Sequence, residues 1–176
     1  MKIAFTGGGT GGHFYPVIAV AEKVNQIIDH EHIVGVKLYY ISDSPYDKEM
    51  LLQNGILYEE ISSGKMRTYF SFRNFTDIFK IFFGTINAIY KLFSIYPDVV
   101  FGKGGYASFP TIFAARILRI PVLIHESDSA PGRVNKWAGR FAKKIAALPV
   151  RKRGKNFSVK NFSPIDFQSH ALRRDS

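Results

Sequence analysis

The sequence predicts an α/β fold, a parallel sheet with helices on both faces, and three observations predict it. Short apolar runs alternate with longer segments of helical spacing, the pattern of βαβ units. Glycine clusters stand where two of those runs give way to a helix. Finally, 46% hydrophobic and 15% aromatic residues with only eight prolines describe a chain that can bury a sizeable core, which excludes a disordered or collagen-like protein.

The apolar runs predict strands at Lys2–Thr6, Val36–Ile41, Ile56–Ile61, Asp98–Phe101, Pro121–His125 and Lys144–Leu148. Between the first two, Val17, Val20, Ala21, Val24, Ile27 and Ile28 recur at the spacing of one helical face, which predicts a helix over Tyr15–Ile28. Further helices are predicted at Tyr46–Gln53, Asn74–Ser94, Ser108–Leu118 and Gly132–Phe141. Tyr96-Pro97 ends the long third helix, because proline cannot continue it and pushes its predecessor towards extended backbone. Beyond Leu148 neither a period of 2 nor one of 3.6 persists. The sequence therefore divides into a domain at residues 1–148 and a basic, aperiodic tail at 149–176, whose pattern is that of a truncated or frameshifted end. At 176 residues there is little room for two full catalytic domains.

Several classes are excluded directly. With no cysteine there is no disulfide scaffold, thiolate metal site or cysteine nucleophile. The apolar start, Met1 to Thr6, is too short for a signal peptide, so a cytoplasmic address is expected. No transmembrane helix is expected, since the uncharged run Ile81–Tyr90 has ten residues against the roughly 18 of a span. Charge is uneven: residues 1–64 hold four Lys/Arg against eight Asp/Glu, and residues 65–148 hold thirteen against four. A basic second half suits nucleic acid, an anionic membrane or a polyanionic ligand.

Three loops carry the chemistry. In Thr6-Gly7-Gly8-Gly9-Thr10-Gly11-Gly12-His13, backbone N–H groups at a helix start can face an anion with no side chain in the way, the outline of a phosphate or sugar-phosphate site. Gly7, Gly9 and Gly12 also satisfy the dinucleotide pattern, but Asp43 lies thirty-one positions past Gly12, where about 20 are wanted, and no Gly-Lys-Ser/Thr follows to make a P-loop. The second loop, Gly102-Lys103-Gly104-Gly105-Tyr106-Ala107-Ser108, also leaves a strand end, so both can line one crevice, with Lys103 as a point charge to a diphosphate. The third, His125-Glu126-Ser127-Asp128 through Pro131-Gly132 to Asn135-Lys136, is more polar than a connector needs. No metal site is expected, because His125 and Glu126 point to opposite faces of a strand with no third ligand.

At Gly8–His13 with Pro16, at Gly102–Tyr106 with Ser108 and Pro110, and at His125-Glu126 with Pro131-Gly132 and Asn135-Lys136, the sequence resembles the MurG family of glycosyltransferases. The resemblance covers residues 1 to about 147 and implies the Rossmann-like amino-terminal half of a GT-B glycosyltransferase, with no counterpart of the carboxyl-terminal donor-binding domain. It implies transfer of N-acetylglucosamine from its UDP donor to undecaprenyl-diphosphate-linked N-acetylmuramyl-pentapeptide, with no cofactor required, and no activity without the second domain. His13 becomes the candidate general base of an inverting transfer, where the residues alone read as a capping or core histidine. Gly8, Gly9, Gly102, Lys103, Gly104, Gly105 and Tyr106 would take the acceptor diphosphate; Thr10, Gly11, Gly12 and Asp128 would approach the donor sugar. Asp128 stands where some members carry asparagine, and a carboxylate accepts hydrogen bonds without donating them. His125, Glu126, Asn135 and Lys136 would support the site, with Glu126 orienting His125 or the cleft or capping the next helix.

From Lys65 to Tyr96 there are seven phenylalanines and three tyrosines among basic residues. Phe75, Phe79, Phe82, Ile86, Ile89 and Phe93 form one helical stripe, read as core, while Phe72, Phe83 and Tyr90 fall off it. The excess aromatics with the basic residues suggest a second surface that dips into an anionic leaflet, with Arg73, Phe75, Phe79, Lys80, Phe82 and Phe83 as its candidate residues, and the resemblance likewise implies peripheral attachment at the cytoplasmic face of the cell membrane. A single-stranded nucleic acid could use the same residues but would leave the glycine loops unexplained. The remaining alternatives are a stand-alone nucleotide- or NAD-binding protein, a lipid-diphosphate binding module without catalysis, and one half of a split transferase with a separate donor-binding subunit.

Overall fold

The computed structural model describes residues 1–63, 72–128 and 131–147. Six parallel strands form one sheet: β1 (Lys2–Thr6), β2 (Lys37–Ser42), β3 (Ile56–Glu60), β4 (Val99–Gly102), β5 (Val122–Glu126) and β6 (Lys144–Ala147), in the spatial order β3-β2-β1-β4-β5-β6. The helices are α1 (Gly11–His30), α2 (Lys48–Gln53), α3 (Phe72–Ile95), α4 (Phe109–Ile117) and α5 (Arg133–Ala138). All six expected strands and five expected helices are present with shifted ends. The largest shift is at α1, which starts four residues early because the second half of the glycine loop is already its first turn. The residues 149–176 of the expected tail lie outside the described residues.

The four inner strands are largely apolar because they are covered on both sides. Ile3, Phe5, Leu38 and Tyr40 pack with Phe14, Val17, Ile18 and Ala21 of α1, while Ala4, Tyr39, Val100, Val122 and Ile124 pack with residues of α3, α4 and α5 on the other face. The strand order reverses between β1 and β4, which pair in parallel with Phe5 opposite Phe101 and Thr6 opposite Gly102. In such a sheet the carboxyl ends of the two strands at the reversal open a crevice, and both glycine loops leave from there.

The third helix corrects the sequence reading. Phe79, Phe82, Ile86 and Phe93, expected in the core, lie on the outer face together with Phe83 and Tyr90, and the six are 49–74% exposed. Gly84, Ala88 and Leu92 face inward instead. The reason is space. A Cβ at Gly84 would run into the Ser62 carbonyl, and Ala88 meets Ala114 and Ala115 of α4 in one core cluster, so the helix comes too close for large rings. The half-buried ion pair from Lys91 to Glu59 ties α3 to the β3 edge. The side chains of Arg73, Phe75 and Lys80 are outside the described residues. Among the described residues no helix is long and apolar enough to cross a membrane.

Candidate functional site

The two glycine loops touch. Lys103 donates its backbone N–H to the Thr6 carbonyl at 2.9 Å, carrying the β1–β4 pairing one step past the strand ends. There a Cβ on Gly105 would fall 2.7 Å from the Gly8 α-carbon, and one on Gly8 would fall 2.8 Å from His13 Cδ2. Gly104 and Gly105 have φ of 94° and 85°, a backbone that side chains resist, whereas no glycine of the first loop has positive φ. The first loop needs glycine for closeness and the second for conformation as well. Gly102 is the last residue of β4, and Ile112 and Ile124 cover the place its side chain would take, so packing also calls for glycine there.

Lys103 is 1% exposed, and its Nζ donates to Ser127 Oγ at 2.9 Å. Burying an ammonium against a neutral hydroxyl is costly, and a ligand anion would offset that cost. Two half-buried imidazoles stand near it. His13 occupies the first turn of α1 with Nδ1 buried and hydrogen-bonded to no protein group, and burial, then the Lys103 charge, hold its pKa below the usual 6.5 against the opposing pull of Asp128 and Glu126. His125 stacks on Phe101 at 6.2 Å and is lowered by the same two causes. Pro16 lies inside α1 and has no N–H to give to the Gly12 carbonyl four residues earlier.

The third loop is held by Glu126. Its carboxylate accepts from the backbone N–H of Asp128 at 3.0 Å and of Gly132 at 3.1 Å, and from Asn135 Nδ2 at 2.9 Å. Burial alone would raise its pKa, but these hydrogen bonds and Lys103 outweigh that and lower it. Of the roles open to it in the sequence, closing the loop at the start of α5 is the one the structure displays. Asn135 Nδ2 also reaches the Lys103 and His125 carbonyls at 3.3 and 3.2 Å, and its side chain fills the space beside Gly104. Lys136, one position on, is exposed on the outer side of α5. Asp128 is exposed at the rim, within electrostatic reach of His13.

One acidic residue that the sequence offered only as a poorly spaced ribose-binding acid joins the crevice. Asp43 follows β2 directly, where a dinucleotide fold would place its ribose-binding acid, and that position was the available signal. Its oxygens are engaged by Ser63, by Ser42 at 3.4 Å and by the Tyr106 hydroxyl. Tyr106 consequently lies over Gly9, its phenol raised in pKa by burial and then by the Asp43 charge. Thr10 precedes α1 as its cap position, with its carbonyl accepting from His13 at 3.0 Å, and Tyr46 crowds Gly11 from outside. Among the described residues no three His, Cys, Asp or Glu gather as metal ligands.

Comparison with known proteins bears on the fold and the family. The model of the glycosyltransferase family 28 N-terminal domain matches residues 3–147. The UDP-N-acetylglucosamine--N-acetylmuramyl-(pentapeptide) pyrophosphoryl-undecaprenol N-acetylglucosamine transferase of Borreliella afzelii (strain PKo) is 42% identical over 145 residues, 81% of this chain and 39% of the relative. The protein of the same name from Legionella pneumophila (strain Corby) is 43% identical over 145 residues, 82% of this chain and 38% of the relative. The chain thus spans about 39% of the length of the first of these relatives. Acinetobacter baumannii MurG superposes with a TM-score of 0.68 at 29% identity, over 86% of this chain and 44% of that one. A UDP-GlcNAc 2-epimerase from Methanocaldococcus jannaschii, at 19% identity and a TM-score of 0.53, shares the fold over 85% of this chain and 40% of its own.

Proposed function

The chain belongs to the glycosyltransferase family 28 N-terminal domain family, and from that premise we propose that it forms the acceptor side of an inverting transferase. The transferase would move N-acetylglucosamine from UDP to undecaprenyl-diphosphate-linked N-acetylmuramyl-pentapeptide, the transfer its relatives' names state, and so convert lipid I to lipid II in peptidoglycan synthesis. The observation that carries this reading is the buried Lys103 ammonium beside two glycine loops in contact. A diphosphate laid there meets backbone N–H groups, the start of α1 and a cation with no carboxylate bonded to it among the described residues. Gly8, Gly9, Gly104, Gly105 and Tyr106 line that position, and Thr10, Gly11, Gly12 and Asp128 face the donor across the crevice.

His13 supplies the base. Burial and Lys103 keep the imidazole neutral near pH 7, the form that accepts a proton. With Nδ1 buried, Nε2 is the nitrogen for substrate. As Nε2 takes the acceptor hydroxyl proton, the oxygen bonds to the anomeric carbon from the face opposite UDP, and the carbon–oxygen bond to UDP breaks with its electron pair leaving on the diphosphate. Orientation of the donor and stabilisation of departing UDP come from a second domain, so this chain alone gives no turnover. The exposed aromatics of α3, with Arg73 and Lys80 in the same helix, seat the domain on the cytoplasmic face of an anionic membrane and bring the crevice to its lipid-linked acceptor.

The test is calorimetric binding of a short-chain lipid-diphosphate sugar to the purified chain. Saturable binding that falls about tenfold or more in Lys103→Met supports the reading. Equal affinity in Lys103→Met, or protection of the fold by NAD and not by the lipid diphosphate, overturns it.

A further inference from the structure

A second basic site lies at the opposite edge of the sheet. The crevice opens at the carboxyl ends of the strands, whereas a notch of about 170 Å³ opens where α4 ends and β5 and β6 begin. Arg116, Arg119 and Lys143 stand around it, with Pro121, Val122 and Phe141 between them. No carboxylate lines it, and none of the three cations is paired with one among the described residues.

Ordinary helix capping accounts for only part of this cluster. A cation in the last turn of α4 is favoured by the helix dipole, which explains Arg116. Arg119 lies beyond the helix in left-handed backbone, φ 57°, held by the Ile120 N–H to the Ala115 carbonyl at 2.9 Å. Lys143 comes from a different segment and is pinned beside β5 by its N–H to the Val122 carbonyl at 2.8 Å. All three are exposed, and three positive charges converging on one notch with no carboxylate in its wall make a local potential that attracts an anion. Arg116 is also pre-oriented, its guanidinium 5.2 Å from the Phe141 ring centroid, and guanidinium forks match the paired oxygens of a phosphate. At about 30 Å³ per water, the notch has room for one phosphoryl group.

We propose that the notch walled by Arg116, Arg119 and Lys143 binds a phosphoryl group, supplied by free phosphate or by the headgroup of a phosphomonoester lipid. The helical layer it belongs to, α3 to α5, also carries the exposed aromatic face, so a lipid headgroup can reach it from the same side. The site is separate from the crevice and does not depend on the activity proposed above.

Trp137, the single tryptophan, provides the readout, because Phe141 lies edge-on to it at 4.8 Å and directly under Arg116. The whole chain is titrated with inorganic phosphate and, separately, with phosphatidylcholine vesicles with and without phosphatidic acid, following Trp137 fluorescence and co-flotation. The variant Arg116→Gln/Arg119→Gln/Lys143→Gln is compared with Lys23→Gln/Lys37→Gln/Lys48→Gln, which removes the same charge from exposed positions elsewhere. The expected result is saturable binding that falls about tenfold or more in the notch variant and less than about twofold in the control. A response to inorganic phosphate identifies the free ion, and a response to phosphatidic acid vesicles alone identifies the headgroup. No binding to either probe, full binding by the notch variant, or equal loss in the control overturns the proposal. Should the triple variant fail to fold, Arg119→Gln alone is read the same way, with about a threefold loss expected.

Discussion

Helices α1 and α3 have similar lengths, yet their buried faces are built from side chains of different size. In α1 the large side chains Phe14, Val17 and Ile18 go inward and the polar ones outward. In α3 the inward positions are Gly84, Ala88 and Leu92, and the large rings go outward. The difference teaches that a helical stripe tells which residues share a face and not which face is buried. The available depth decides: α1 fits Phe14, Val17 and Ile18 against β1 and β2, while α3 is pressed against the Ser62 carbonyl and the alanines of α4.

The strongest way to break this comparison is to truncate one ring on each helix. Phe14→Ala should cost about 3–5 kcal/mol in urea unfolding, whereas Phe82→Ser should stay within about 0.5 kcal/mol. Equal costs would mean that α3 packs its rings inward after all. Gly84→Ala sharpens the point, since alanine is the better helix former by about 1 kcal/mol in an open helix. Here it should instead destabilise by about 1–3 kcal/mol, because the added methyl meets a backbone carbonyl that cannot step aside.

Replacing Phe82, Phe83 and Phe93 together by serine should leave the unfolding midpoint nearly unchanged while lowering flotation with anionic vesicles about tenfold or more. Loss of stability in place of loss of binding would turn the outer face of α3 back into core. Smaller effects distinguish the crevice end of α1. His13 should titrate by NMR below 6.5, and Lys103→Met should move its midpoint upward by removing one cause of the depression. Because its folded pKa is the lower one, His13 contributes fully to stability above 6.5, and that contribution is lost as pH falls through the folded value. Glu126, also depressed, contributes above its unfolded value near 4.5 and loses that as pH falls through its folded pKa, so Glu126→Gln should flatten the acid limb of the stability profile.

Much of this protein was legible without coordinates. The alternation of short apolar runs with helical spacing determined an α/β sheet, because a strand covered on both faces must be apolar throughout. Glycines at two strand-to-helix turns marked the crevice, because only glycine lets backbone approach a ligand or another loop so closely. Tertiary structure alone decided four matters. It turned the α3 rings outward, through the depth of a slot lined by residues distant in sequence. It placed Gly102 under Ile112 as packing and added Asp43 to the crevice through Ser63 and Tyr106, neighbours that no local pattern links. And it gathered Arg116, Arg119 and Lys143 around one notch, since charges from separate elements converge only when the sheet brings the starts of β5 and β6 together beneath the end of α4.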